Sequence, residues 1–203
     1  MSEAPWPWRL GITDKFVFGY TAEYFRIAAD LGPAARVCEI GIMEGHGLAL
    51  FQALFPIGEV TGVDRDTRWH WPEGVRQVVA EQTDPRLPEL LGGPFDLIAD
   101  DASHIGSQTG HTFAMLWPLV APGGYYVIED WHMNQPGMRD TVAGLLGLLT
   151  ERDSECDEIR CRFGLAVVHK RKEPVTPMLE PRDQCWPQGA CESPFHDPRW
   201  PRG

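Results

Sequence analysis

Arg36-Val-Cys-Glu-Ile-Gly-Ile-Met-Glu-Gly-His-Gly47 is an apolar run that breaks into a glycine-rich turn, and residues 48–55 after it have helical spacing. Glu59-Val-Thr-Gly-Val63 follows as a second strand-like run and closes on Asp64. Strand, turn, helix and strand in this order make a β-α-β unit, with parallel strands and a right-handed crossover. The pattern continues outward. Residues 75–80 and 95–99 read as third and fourth strands, 111–120 as a helix and 124–129 as a fifth strand. Residues 140–149 read as a helix, and 155–162 with 165–169 as a closing hairpin that turns at Gly164. The expected fold is α/β: a single domain with a doubly wound, mostly parallel seven-stranded sheet and a terminal antiparallel hairpin.

The flanks differ in character. Residues 1–33 begin with a Trp/Pro segment and continue into an amphipathic stretch, Tyr24, Phe25, Ile27, Ala28 and Leu31, stopped by Gly32-Pro33. Residues 34–172 carry the sheet. Residues 173–203 hold seven prolines, too many for regular structure, together with Trp186, Phe195 and Trp200, so an arm packed on the body or on a neighbouring subunit is expected.

Bulk properties narrow the function. With 203 residues and 43% hydrophobic content, the chain can bury one full core. A net charge of -11 without a Lys/Arg stripe repels phosphate backbones, which argues against a nucleic-acid partner. No cationic leader is visible, and no apolar run reaches the roughly 20 residues of a membrane span, so a cytoplasmic protein is expected. Five cysteines without a Cys-x-x-Cys pair point to reduced thiols. Cys185, Cys191 and His196 are too dispersed to make a convincing zinc site.

In such a sheet, ligands sit at the carboxyl ends of the strands. Gly41, Gly45 and Gly47 allow backbone N–H groups to approach a small anion at a helix start, and their order differs from the Gly-x-Gly-x-x-Gly of dinucleotide sites. Asp64 stands 23 residues after Gly41, where a carboxylate can accept both hydroxyls of a ribose. After the third strand, Gln82 and Thr83 offer an amide and a hydroxyl to an adenine ring. Two acidic clusters, Asp100-Asp101-Ala-Ser-His104 and Glu129-Asp130-Trp-His132, each follow an apolar run. On adjacent strands they would gather oxygen ligands for a hard cation beside an imidazole base. The competing reading makes Asp101 or Ser103 a helix cap, Glu129-Asp130 a solvated loop and His104 incidental; two clusters at neighbouring strand ends weigh against it. His132 is a second base or a loop residue, Tyr20 and Trp131 are covers or core, and His46 and His111 are packing or surface residues.

Through Glu39-Ile-Gly41, Gly45, Gly47, Asp64 and the fourth and fifth strands, the chain resembles the class I S-adenosylmethionine-dependent methyltransferases over roughly residues 34–170. Ala99-Asp-Asp-Ala-Ser-His104 and Pro122-Gly-Gly-Tyr-Tyr-Val-Ile-Glu-Asp130-Trp-His132 are similar to the metal-dependent sugar O-methyltransferases of macrolide and related antibiotic pathways. The resemblance implies a Rossmann-like sheet in which Glu39, Gly41 and Gly45 face the methionine end of S-adenosylmethionine, Asp64 its ribose, and Gln82 or Thr83 its adenine. It implies that Asp101, Glu129 and Asp130 hold Mg2+, that His104 is the general base, with Asp101 beside it in the catalytic pair, and that Asp100 orients the cofactor amine or a neighbouring ligand. The acceptor would be a hydroxylated, sugar-bearing small molecule; a catechol-type phenol, or cofactor binding without catalysis, are the alternatives. Ala102 stands where the family usually has Gly, and the N-terminal portion is short. A lid is therefore expected from residues 1–20, from the tail, or from another subunit of a homo-oligomer.

Overall fold

The computed structural model describes residues 13–66, 71–133, 135–149, 155–162 and 164–173. Its centre is β1 (Arg36–Ile40), four of whose five residues are buried, as a strand covered on both faces requires. β2 (Glu59–Asp64) and β4 (Phe95–Asp100) flank it in parallel, and β3 (Arg76–Val79) and β5 (Val120–Ile128) extend the parallel set on either side. β6 (Cys156–Cys161) and β7 (Ala166–Lys170) form an antiparallel hairpin whose β7 pairs with β5, giving the order β3-β2-β1-β4-β5-β7-β6. The expected sheet and closing hairpin are both present.

Alternation along the strands sorts the core into two layers. Val37, Leu97, Ala99, Val127 and Val167 pack with Tyr24 and Ile27 of α2 (Thr21–Leu31) and Leu48 and Phe51 of α3 (His46–Leu54). Cys38, Ile40, Ile98, Tyr126 and Ile128 face the other way. They meet Leu87 and Leu91 of α4 (Leu87–Leu91), Phe113 and Leu116 of α5 (Gly106–Leu116), and Met138 and Val142 of α6 (Met138–Leu145). Among the described residues no helix is long and apolar enough to cross a membrane.

The boundaries depart from expectation in two places. Helix α5 starts at Gly106 rather than near 111 and ends before a 3-10 turn at Trp117–Leu119; β5 begins at Val120, which pairs with Phe95. Gly106 is the reason for the early start. A Cβ on it would lie 2.2 Å from the Gly137 backbone, and its N–H donates to the Pro136 carbonyl at 2.9 Å, so the α5 start is clamped to the α6 start. Helices α1 (Asp14–Val17) and α4 are four and five residues long, too short for any periodicity to announce them. Most of the Pro-rich arm and the Trp/Pro start lie outside the described residues.

Gly106→Ala should lose about 1–3 kcal/mol of stability, because a methyl group is forced into backbone. Gly144→Ala, within α6 and with nothing near its Cβ position, should gain about 0.5–1 kcal/mol from helix propensity. Urea unfolding of the two variants measures both; equal effects of the same sign would contradict the packing of α5 on α6.

Candidate active site

The register of the sheet brings three carboxylate-bearing strand ends to one edge. Ile40 pairs with Asp100, and Asp100 with Ile128, so the residues that follow leave the sheet side by side. The ladder continues one step further: the Asp101 N–H donates to the Ile40 carbonyl at 2.8 Å and the Glu129 N–H to the Asp100 carbonyl at 3.0 Å. Between β1 and β4 the strand order reverses, and there the connections diverge and leave a crevice. A cavity of about 610 Å3 opens at this point. It runs from Thr13, Asp14 and Lys15 past the glycine turn to Asp64 and Gln82, and round to Asp101, His104 and Asp130.

The glycine turn lies close against the neighbouring strand end. Gly41 has φ 82°, and a Cβ there would meet the Asp101 carbonyl oxygen at 2.4 Å. Gly45, at φ 79°, starts α3, and Met43 is also left-handed. A Cβ on Gly47 would fall 2.0 Å from Glu39 Oε1, so this glycine makes room for the Glu39 carboxylate at the first turn of α3. Asp64 accepts the N–H of Ile42 at 3.1 Å and that of Asp66 at 2.8 Å, which ties the end of β2 to the turn. Asp64 lines the cavity, and each of its oxygens retains accepting capacity beyond the backbone bond it makes.

Gln82 lines the cavity with its amide already engaged. Its Oε1 accepts the Ser103 N–H at 3.0 Å and its Nε2 donates to Thr112 Oγ1 at 3.0 Å, so it fastens the segment that carries His104. Thr83 does not line the cavity, and neither does Asp100. Asp100 is buried beneath it and accepts the Tyr126 hydroxyl at 3.2 Å; burial pushes its carboxyl up to about 7.

Asp101 belongs to two groups of potential ligands. One joins it to His104 and Asp130, the other to Glu39 and Glu129; within each, one ligand atom per residue lies within 4.8 Å of the others. His104 Nε2 is 3.7 Å from Asp101 Oδ1 and 3.8 Å from Asp130 Oδ2. His104 and Asp130 both have φ 54°, a conformation that costs a non-glycine residue energy and concentrates at functional positions. The Tyr20 hydroxyl donates to Asp130 at 2.5 Å, which orients this carboxylate from the N-terminal side. Asp101, Glu129 and Asp130 thus share one sheet edge, with Asp130 in one group, Glu129 in the other and Asp101 in both.

The second group surrounds a residue that nothing in the sequence singles out. Lys15, 1% exposed, places Nζ 2.7 Å from Asp101 Oδ2, 3.0 Å from Glu129 Oε1 and 3.2 Å from Glu39 Oε1. Burial alone would lower its pKa, but the three acids outweigh this and hold the ammonium well above its ordinary value. Burial raises the carboxyls in turn: Glu39 to about 7 despite Lys15, and Glu129 well above the usual range, with Asp101 adding to both shifts. The Tyr24 hydroxyl donates to Glu129 Oε1 at 2.5 Å. Glu39 Oε2 and Glu129 Oε2 are buried without a hydrogen-bond partner. The donor set is all oxygen, and two of these oxygens are without a partner; both properties suit a hard divalent cation. Lys15 and Tyr24 precede the first strand, and only the fold carries them to this edge.

The remaining candidates take lesser places. Trp131 Nε1 donates to the Arg162 carbonyl at 3.2 Å, and the His132 carbonyl accepts from Arg139 at 3.4 Å. His46 lines the cavity with Nδ1 3.6 Å from Glu44, and His111 is exposed. Arg160 pairs with Glu23 of α2 at 2.9 Å, which locks the hairpin onto the N-terminal helix. Among the described residues Cys38 and Cys161 are free thiols and Cys156 Sγ donates to the Glu158 carbonyl at 3.6 Å, whereas Cys185, Cys191 and His196 lie outside the described residues.

Residues 38–131 match a family described as a methyltransferase domain. The chain is similar to mycinamicin VI 2''-O-methyltransferase of Micromonospora griseorubida, 36% identical over 140 residues covering 62% of this chain and 35% of the relative. It is also similar to demethylmacrocin O-methyltransferase of Streptomyces fradiae, 40% identical over 114 residues covering 50% of this chain and 29% of the relative. The chain spans about a third of the length of these curated relatives. Among solved structures, MycE methyltransferase from the mycinamycin biosynthetic pathway, in complex with Mg, SAH and mycinamycin VI, matches with a TM-score of 0.71 at 26% identity. That alignment covers 85% of this chain and 56% of that one.

Tyr24→Phe keeps the ring on Phe51 and removes only the hydroxyl that Glu129 accepts. Removing the donor of a buried acceptor predicts a loss of about 1–3 kcal/mol, read as a lower urea midpoint with an unchanged slope. Unaltered stability would mean that Glu129 does not depend on this donor.

Proposed function

We propose that the chain is a class I S-adenosylmethionine-dependent methyltransferase and, from its resemblance to the antibiotic sugar O-methyltransferases, that it methylates a hydroxyl of a sugar-bearing or polyhydroxylated small molecule with the aid of Mg2+. The observation that carries this reading is His104 Nε2 standing near both Asp101 and Asp130 in the same cavity that Gly41 and Asp64 line.

The glycine turn and Asp64 hold S-adenosylmethionine in this reading. Gly41 and Gly45 keep the turn free of side chains, and Asp64 accepts the ribose hydroxyls. Asp101 and Asp130, with Glu129 once it is turned toward them, hold Mg2+; the orphaned Glu129 Oε2 supports that role. When bound, S-adenosylmethionine supplies the methyl group as an electrophilic sulfonium substituent, and Mg2+ lowers the proton affinity of the acceptor hydroxyl. His104 takes the hydroxyl proton at Nε2, and Asp101 and Asp130 stabilise the imidazolium that results. Tyr20 and Gln82 keep these groups in place, through Asp130 and through the Ser103 N–H. Orientation of acceptor against methyl donor contributes much of the remaining rate. A cytoplasmic location and self-association are part of the same proposal; the acidic surface supports a small-molecule acceptor over a nucleic acid.

The test is methyl transfer to a glycoside with a vicinal diol, with Mg2+ or with EDTA. EDTA should abolish turnover and added Mg2+ restore it. His104→Ala should lose about 100-fold or more in turnover while S-adenosylhomocysteine still binds. Asp64→Ala should weaken S-adenosylhomocysteine about 10- to 100-fold by calorimetry, the worth of charge-assisted bonds to the ribose. Turnover that persists in His104→Ala would move the base elsewhere.

A further inference from the structure

The mechanism above makes no use of Lys15, although its ammonium occupies the most enclosed oxygen cage in the site. We propose that Lys15 is a tethered cation which a divalent ion must displace, so that metal loading frees the N-terminal segment from the cofactor cavity. The inference rests on the metal reading in the preceding section and adds a coupled movement to it.

An ammonium has three protons, and here three carboxyls surround it: Asp101 accepts a hydrogen bond at 2.7 Å, with Glu129 at 3.0 Å and Glu39 at 3.2 Å from Nζ. The lysine therefore satisfies the cage in the absence of a metal. A divalent ion held by Asp101 and Glu129 would draw on the same two carboxylates and would lie next to Nζ, where two cations in a buried, poorly solvated space repel strongly. Glu129 engages Lys15 and Tyr24 through Oε1, so an ion that it shares with Asp101 competes with the ammonium for carboxylate charge already committed to Nζ. Its second oxygen and that of Glu39 have no partner, so the cage keeps coordinating capacity that the ammonium leaves unused. Once expelled, the ammonium regains full hydration in solvent.

The mechanical consequence follows from what Lys15 anchors. Helix α1 is a single turn whose Val17 is 77% exposed. Among the described residues, the polar side-chain contacts that join α1 to the strand ends all come from Lys15. Thr13, Asp14 and Lys15 line the cavity wall, so release of Nζ loosens that wall at its N-terminal side.

Trypsin reads this movement directly, because it needs an accessible lysine at the bond it cuts. The full-length protein is digested with Mg2+ or with EDTA, and the fragments are identified by mass spectrometry. Cleavage after Lys15 should accelerate by roughly tenfold with metal, the range of an ordinary coupling between two sites, while cleavage after the exposed Lys172 stays constant. Mn2+ titration followed by electron paramagnetic resonance supplies the second measure: Lys15→Met should bind Mn2+ roughly tenfold more tightly than the wild type, since the competing ammonium is gone. If Lys15→Met does not fold, the wild-type digestion decides alone. Metal-independent cleavage with Mn2+ binding intact, or weaker Mn2+ binding by Lys15→Met, overturns the displacement and leaves the metal reading in place. No Mn2+ binding by either protein overturns both.

Discussion

The site depends on one electrostatic constraint: Glu39, Asp101 and Glu129, delivered by three adjacent parallel strands, are held out of water around a single ammonium. Buried carboxylates this close would repel one another and take up protons, and the raised pKa values of Glu39 and Glu129 record that pressure. Desolvating an ion pair yields little net stability, so such a cluster is better understood as a device for positioning than as a source of stability. It sets the direction in which each strand end points. Asp101 has one oxygen turned to Lys15 and the other toward His104, so the His104 side of the site inherits its geometry from the ionic side.

Around that constraint the scaffold places strain where chemistry would use it. Met43, His104 and Asp130 are the left-handed non-glycine residues of the described chain, and all three line the cavity. They are held by partners from elsewhere in the fold: Gln82 fastens the Ser103 backbone beside His104, and Tyr20 grips Asp130. Gly164, where a Cβ would clash with the Tyr20 ring, lets the β6–β7 turn close over that tyrosine. The antiparallel hairpin thus contributes to the site without supplying a reacting group.

The match to the methyltransferase-domain family covers the part of the molecule that builds this edge. It runs over residues 38–131, from within β1 into the second acidic cluster. Lys15, Tyr20 and Tyr24 lie before it. Three side chains that contact the acids therefore come from α1, α2 and the turn between them, outside the span that defines the domain.

Local sequence was sufficient for the sheet, because strands buried on both faces are written as continuous apolar runs and the carboxylates appear where those runs stop. Residues 36–40, 59–64 and 95–100 could be read that way, and so could the glycine turn, Asp64, both acidic clusters and His104. Short helices such as α1 and α4 carry too few residues for a period, and the start of α5 is set by a contact with Gly137 that no neighbour in sequence reports. The pairing of acids was hidden for the same reason. Strand adjacency implied that both acidic clusters meet at one edge, whereas only side-chain direction shows that Asp101 stands with His104 and Asp130 on one side and with Glu39 and Glu129 on the other. Lys15 needed the whole fold: a lysine on one turn of helix looks like a solvated charge until 24 residues of chain bring it back over the end of β1. Chemical type and order along the chain were determined by the sequence itself. Which charge neutralises which was decided by tertiary structure, because Coulomb energy depends on distances through space that a linear chain does not contain.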